Sequence, residues 1–312
     1  MPNRIAVLLP CHNEEVAIED VVRAFRAALP DAAIYVYDNN STDGTAARAA
    51  GAGAVVRHES LRGKGNVVRR MFADVDADIY VMCDGDGTYD AAAAPAMIAR
   101  LAAERLDMVV CARIADADAA YRTGHRFGNF TLTAVVGRLF GSRFTDMLSG
   151  YRAFSRRFVK SFPALASGFE IETELTVHAL ELKMPVGEIE APYASRPEGS
   201  ASKLSTWSDG LRILAAILFL FKEVRPFRFF GAMSLLLALA GIILAYPLVA
   251  TYLATGLVPR LPTAVLVTGI MLLASMALVC GIILDTVSRG RREAKRLRYL
   301  ALNPVRNETD PG

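Results

Sequence analysis

The stretch Ile79-Tyr80-Val81-Met82-Cys83-Asp84-Gly85-Asp86 decides the fold. Its first five residues are a short apolar run, which reads as a strand covered on both faces. The run stops at two carboxylates one residue apart. A buried strand that delivers two acids to its exposed end can hold a divalent cation. Hard oxygen ligands suit Mg²⁺ or Mn²⁺, and such an ion is usually shared with substrate phosphates. An EF-hand loop would need glycine at its sixth position and an acid at its twelfth. Counting from Asp84 those are Tyr89 and Pro95, so that reading fails. A simple turn with solvated carboxylates is the plain alternative.

Working outward, Ile5–Leu9, Ile34–Tyr37, Ala54–Val56 and Met108–Cys111 are further runs rich in Val and Ile. Helical patterns lie between them. One puts Ile18, Val21, Val22, Phe25 and Leu29 on one face, and others cover Thr45–Ala50, Gly65–Ala73 and Ala92–Ala103. Strands alternating with helices imply an α/β fold with a parallel sheet and helices on both sides. Ligands of such sheets bind beyond the carboxyl ends of the strands. Pro10 to Glu15, Asp38 to Asp43 and Asp84 to Asp86 all fall there. Past Ala112 the alternation weakens. Helices are expected over Arg126–Phe140 and Glu170–Lys183, a strand over Val186–Ile189, and a loop over Tyr193–Ser205.

The hydrophobic fraction is 53%, unevenly spread over the 312 residues. Phe229–Leu253 and Thr263–Leu284 each stay uncharged for more than about 20 residues, enough to cross about 30 Å of hydrocarbon. Pro247 is expected to kink the first. Lys222, Arg225 and Arg228 stand before the pair, and Arg289, Arg291, Arg292, Lys295, Arg296 and Arg298 after it. Basic flanks favour the cytoplasmic side, so the expectation is a hairpin in the cytoplasmic (inner) membrane with both termini and the head in the cytoplasm. Arg289–Arg298 is either a lipid-touching segment or a solvated flank. The expected organisation is a head over 1–205, an amphipathic helix over 206–226, the hairpin over 227–288 and a basic, partly disordered tail over 289–312. The amphipathic helix lies at the membrane interface or packs as a core helix. Asn3 and Arg4 run straight into a strand pattern, so no secretory signal is expected there.

The net charge of +3 argues for no nucleic-acid partner. The four cysteines, Cys11, Cys83, Cys111 and Cys280, form no C-x-x-C pair and read as buried free thiols of a reducing compartment. Four scattered histidines give no zinc spacing.

Smaller motifs each have two readings. Asp90 reads as a helix N-cap before it reads as a ligand. Gly63-Lys64-Gly65 lacks the earlier glycine of a phosphate loop, since His58 stands there. Lys64 either reaches a phosphate or is an exposed turn lysine. Asp38-Asn39-Asn40-Ser41-Thr42-Asp43-Gly44-Thr45 is either a turn with a cap or a nucleotide contact through Asp38. Arg113, Arg126 and Arg196 are either surface arginines or, with Lys203, a cluster for an anionic lipid head. Glu170 and Glu172 read as acids favouring a helix start.

Pro10-Cys11-His12-Asn13-Glu14-Glu15, Asp38–Thr45, Asp84-Gly85-Asp86 and Ser149-Gly150-Tyr151-Arg152 occur in that order. In this the chain resembles glycosyltransferase family 2, inverting enzymes with the GT-A fold. Arg196–Leu204 followed by a hairpin is similar to the polyprenyl-phosphate branch, which includes dolichyl-phosphate mannose synthase and bacterial undecaprenyl-phosphate glycosyltransferases. The resemblance implies a Rossmann-like mixed sheet with flanking helices and a two-helix transmembrane hairpin. It implies that Pro10, His12, Asn13 and Glu14 flank the nucleoside and that Asp38 reads the base. Asp84 would contact the ribose side and the metal, and Asp86 the metal bridging the diphosphate. Arg113, Arg126, Arg196 and Lys203 would gather at the acceptor phosphate, and Asp146 would stand at the presumed base position. Three positions depart from the pattern. Asn39 replaces a common second Asp, Thr88 a common Gln, and His12 a bulky aromatic. The third metal ligand and the base stacking are thereby left open.

The implied reaction moves a sugar from a nucleotide-sugar, UDP-linked or GDP-mannose, to undecaprenyl phosphate, by a homotetramer at the membrane. A processive polysaccharide synthase would need a Gln-x-x-Arg-Trp motif, but the chain has no glutamine and its single Trp207 follows Ser205-Thr206. A nucleotidyltransferase would release pyrophosphate. An inactive lipid- or nucleotide-sugar-binding subunit would lack metal-dependent turnover.

Overall fold

The computed structural model describes residues 3–115, 137, 144–197 and 206–305. The chain divides into two units, Met1–Ile217 with Lys295–Gly312, and Leu218–Ala294. The expected helix over Arg126–Phe140 falls outside the described residues, apart from Gly137.

In the first unit the strands are β1 (Ile5–Cys11), β2 (Ala33–Asp38), β3 (Val55–His58), β4 (Ile79–Met82), β5 (Met108–Ala115), β6 (Arg152–Ser155) and β7 (Val186–Tyr193). They form one sheet in the order β3-β2-β1-β4-β6-β5-β7. Strands β1 to β4 pair in parallel, as does β5 with β7. Strand β6 runs antiparallel to both neighbours, so the sheet is mixed rather than wholly parallel. The α/β GT-A resemblance implied a mixed sheet; the strand–helix alternation alone did not.

The pleat explains the continuous apolar runs. Val7, Leu9 and Cys11 point into one core layer, while Ala6 and Leu8 point into the other. Helices α1 (Ile18–Ala28), α2 (Thr45–Gly51) and α4 (Ala94–Ala103) cover the first face. Helices α3 (Lys64–Asp74), α5 (Arg156–Ser161) and α6 (Ile171–Leu182) cover the second. With both faces buried, the central strands β1 and β4 read as unbroken apolar runs. The α1 stripe Ile18, Val21, Val22 and Phe25 is buried as its spacing predicts. Each such side chain contributes about 1.5–3 kcal/mol relative to exposure.

Register brings the motifs to one edge. Cys11 lies beside Asp38, and Leu8 beside Met82. The ends of β1, β2 and β4 therefore emerge together, with β1 in the middle.

The second unit contains most of a helical hairpin. Helix α7 (Thr206–Val224) leads to α8 (Pro226–Thr255) and α9 (Leu261–Leu300). Both α8 and α9 are long and apolar enough to cross a membrane. Helix α8 has 30 residues, about 45 Å at 1.5 Å each. It runs on through Pro247 as one helix. Leu236, Ile243 and Leu253 are among its exposed apolar side chains, as lipid contact would require. Small residues sit between the helices: a Cβ on Gly241 would crowd Met271, and one on Gly281 would meet Phe230. Ser234 Oγ donates to the Ala274 carbonyl across that seam at 2.7 Å. Cys280, read as buried, is exposed on this apolar surface, whereas Cys11, Cys83 and Cys111 are buried free thiols.

In α7, Ile217 is buried while Leu214, Leu218 and Phe219 are exposed. The residues after 288, expected as a tail, instead continue α9 to Leu300. The last of them belong to the first unit. There the Tyr299 hydroxyl donates to Asp107 at 2.8 Å, Lys295 meets Glu181 at 2.8 Å, and Val305 is buried in the core.

Candidate active site

Asp84-Gly85-Asp86 leaves β4 over Cys11, and a Cβ on Gly85 would overlap the Cys11 sulfur. Only glycine lets the loop lie that close to β1. Asp86 is 4% exposed. Its Oδ1 accepts the Thr88 hydroxyl at 2.6 Å and the Thr88 amide at 3.2 Å. Its Oδ2 faces Arg196 Nη2 at 2.7 Å. Thr88, where the resembled pattern has Gln, is therefore a brace for Asp86. Arg196, read as an acceptor-phosphate residue, comes to the paired acids and lies 4.0 Å from Glu14.

Asp84 is held from behind. Lys64 Nζ contacts Asp84 Oδ1 and lies 2.5 Å from Glu172 Oε1. Lys64 is not the exposed turn lysine of the plain reading. Its ammonium is already taken up by two carboxylates, which leaves little reach toward a phosphate. Burial alone would lower its pKa, but Asp84 and Glu172 outweigh burial and raise it, so the cation is fixed. Burial raises the Glu172 carboxyl, and Lys64 works against that. Glycine is again required where the chain closes over this pair, since a Cβ on Gly150 would overlap Asp84 Oδ2. Glu172 was not legible as a site residue, because an acid at a helix start has a sufficient local explanation.

The loops after β1 and β2 are stitched together. Asn13, at φ +53°, accepts from the Thr42 amide at 2.7 Å, and its own amide donates to Ser41 Oγ at 2.9 Å. The Glu14 amide donates to Thr45 Oγ1 at 2.8 Å. Asp38 accepts from the Ser41 amide at 3.3 Å and faces His58 Nδ1 at 3.2 Å. Pro10 is the penultimate residue of β1 and His12 opens the loop that follows, where its Nδ1 is buried with no hydrogen-bond partner. Asn39 donates to the Glu59 and Leu61 carbonyls, each at 2.8 Å, and accepts from the Gly63 amide at 2.8 Å. A carboxylate could not donate to those carbonyls. The departure from Asp at position 39 thus fixes the turn that presents Lys64. Asp90, read as a cap, does accept from the Ala92 amide at 2.9 Å.

Beyond β5, Arg113 grips Asp146 with both arms, Nε at 2.6 Å and Nη2 at 2.8 Å, and stacks over Tyr193. Asp146 is 5% exposed. The Asp146 loop is fastened by Arg152, which is fully buried and donates to the Ser149 carbonyl, the Met147 carbonyl and Thr176. Burial lowers its pKa to about 10. The Tyr89 hydroxyl accepts from the Gly150 amide at 2.9 Å, tying this loop to the paired acids. Arg126 and Lys203 lie outside the described residues. Among the described residues no cluster of three or more His, Cys, Asp or Glu side chains could hold a metal by itself.

The profile of glycosyl transferase family 2 matches residues 6–162, which include the paired acids, Asp146 and the stitched loops. The chain belongs to glycosyl transferase family 2. Glycosyltransferase AglJ of Haloferax volcanii is 32% identical over 302 residues, covering 96% of this chain and 99% of that one. Protein RfbJ of Shigella flexneri is 58% identical over 123 residues, 39% of this chain and 95% of its own. Among solved structures, glucosyl-3-phosphoglycerate synthase from Mycobacterium tuberculosis superposes with a TM-score of 0.59 at 23% identity, covering 70% of this chain and 80% of that one. That likeness establishes the shared GT-A fold. As a family 2 glycosyltransferase, this chain keeps its paired acids at the edge where the β1, β2 and β4 loops meet.

Proposed function

We propose that this glycosyltransferase moves a sugar from a nucleotide-sugar, UDP-linked, to a polyprenyl phosphate at the cytoplasmic membrane face. One juxtaposition carries the reading: Asp84 and Asp86 stand at the end of β4, on a chain that also holds two membrane-length helices. Solved structures of the Mycobacterium tuberculosis synthase hold Mn²⁺ with UDP-glucose, or Mg²⁺ with UDP. Among the described residues the two carboxylates have no third acid to complete a metal cluster, which fits a cation completed by substrate phosphates, the usual mode for Mg²⁺. Asp86, with Asp84 beside it, would hold such an ion, and when bound it would neutralise charge on the leaving diphosphate.

The acceptor phosphate has its second pKa near about 6, so at neutral pH it is already an anion. Its oxygen attacks the anomeric carbon, the bond to the diphosphate oxygen breaks, and the nucleoside diphosphate leaves with the electron pair. In-line displacement inverts that carbon, so an α-linked donor gives a β-linked lipid. No strong base is needed. Asp146 has both oxygens on Arg113, which supports a role in aiming that arginine at the acceptor. Arg196 supplies positive charge next to Asp86. Basic residues on both outer flanks of the hairpin favour a cytoplasmic head.

The test incubates detergent-purified full chain with polyprenyl phosphate, Mn²⁺ and a panel of UDP- and GDP-sugars. A glycolipid formed from a UDP-sugar and lost on chelation is the expected result. Product from GDP-mannose alone would replace the donor assignment, and no product with any polyprenyl phosphate would overturn the acceptor.

A further inference from the structure

The second unit carries a charge arrangement that the sugar-transfer site does not use. A half-open cavity of about 330 Å³ is lined by Arg225, Arg228, Arg289, Arg292, Asp285 and Phe227. It contains none of the candidate active-site residues. Arg225 immediately precedes α8, and Asp285 opens the charged part of α9, so the cavity sits where both helices leave uncharged sequence.

Four arginines face one acid, and that acid is already engaged. Asp285 accepts from Arg289 Nε at 3.0 Å. The Arg225 Nε is buried with no hydrogen-bond partner. Burial, then the charges of Arg228 and Arg292, pull Arg225 below its ordinary range. Arg228 forms no ion pair among the described residues. Guanidinium groups crowded together in this way repel one another unless an anion joins them. Their planar forks match phosphate oxygens two at a time. The flanking helices expose apolar side chains, and the phosphate layer of a bilayer lies just beyond its hydrocarbon.

We infer that this cavity binds the phosphate headgroup of a membrane lipid. The inference rests on the membrane reading of the hairpin but not on the sugar, the donor or the transfer reaction. The phosphate can come from an anionic phospholipid or from the polyprenyl phosphate itself.

The experiment places the full chain in phosphatidylcholine nanodiscs containing a minority of phosphatidylglycerol and measures, by mass spectrometry, the lipid retained after mild delipidation. Wild type should keep phosphatidylglycerol in preference to phosphatidylcholine. Arg225→Gln/Arg228→Gln should lower that retention roughly tenfold, as loss of a charge-assisted pair would. Arg260→Gln, at the other end of the hairpin, should leave it unchanged. Arg228→Gln alone, at an exposed position, gives a partial loss even where the double variant folds poorly. Displacement by added polyprenyl phosphate assigns the monoester as occupant, and resistance to it assigns the phospholipid. Equal retention by wild type and variants overturns the inference. So does displacement by millimolar inorganic phosphate, which would mark a site for a soluble anion. Failure to enter nanodiscs at all would instead overturn the membrane reading, so the two failures are distinguishable.

Discussion

Lys64 holds a buried ammonium and Arg225 a half-buried guanidinium, and the chain treats them differently. Lys64 is enclosed by Asp84 and Glu172. Arg225 has other arginines for neighbours and keeps an unpartnered buried Nε. The head repeats the first solution. Asp107, fully buried, meets Arg157 at 2.5 Å, the Ser155 hydroxyl at 2.7 Å and the Tyr299 hydroxyl at 2.8 Å. A charge balanced from within serves geometry, because its partners fix its direction. Arg225 shares the single acid Asp285 with three other arginines, and that shortage of counter-charge is what the lipid inference uses.

The contrast can be broken at several points. The largest effect is expected at Asp86. Asp86→Ala should lower glycolipid formation by about 10³-fold, within the range for loss of a preorganised electrostatic contact. Asp146→Asn, which keeps the shape that Arg113 grips, should lose only about tenfold; equal losses would return Asp146 to the role of base. Lys64→Met should destabilise the head by about 3 kcal/mol, because Glu172 is left buried, and Asp84 half-buried, without their cation. Thermal unfolding reads this, and adding Glu172→Leu to Lys64→Met should recover part of the loss. If it recovers nothing, the pairing is not what stabilises that corner.

Asn39→Asp tests the same logic with a smaller group. It sets a carboxylate against two carbonyls and should cost about 1–3 kcal/mol in denaturant unfolding. His178 gives a pH-dependent version. It is buried between Phe158 and Phe162, bonds Ser161, and burial lowers its pKa to about 3. The unfolded chain titrates near about 6.5, so between those values it binds more protons than the native state. Stability from this residue is present above about pH 6.5 and falls by up to about 1.4 kcal/mol per unit as pH drops toward 3. The slope of wild type minus His178→Leu should show it; a flat difference would mean that the imidazole is protonated in the folded state. In the hairpin, Ser234→Ala removes one interhelical bond and should cost only about 0.6 kcal/mol, read by unfolding in detergent.

What was legible in the sequence follows the same division. Strands β1, β2 and β4 announced themselves because both faces of the sheet are covered, which forces unbroken apolar runs. The paired acids were visible because they interrupt one of those runs. Strand β6 was not, since it has four residues and begins with a buried arginine, an order that no hydrophobic pattern marks. Glu172 and Asn39 were seen but underread. Each has a local excuse, a helix start or a turn, and each acts through a residue distant in sequence. The reach of α9 back into the first unit was hidden for a simpler reason. Arg289–Arg298 has the composition of a solvated flank, and nothing in it marks Lys295, or Tyr299 and Val305 after it, as residues that dock.

That docking has a consequence for the order in which the molecule is made. Tyr299 and Val305 complete the head, yet the ribosome releases them after the whole hairpin. A shortened chain ending before residue 218 would leave Asp107 short of one hydroxyl and the core short of one valine. Completion of the head therefore waits on synthesis of both long apolar helices, and a chain released before residue 299 would lack those two contacts.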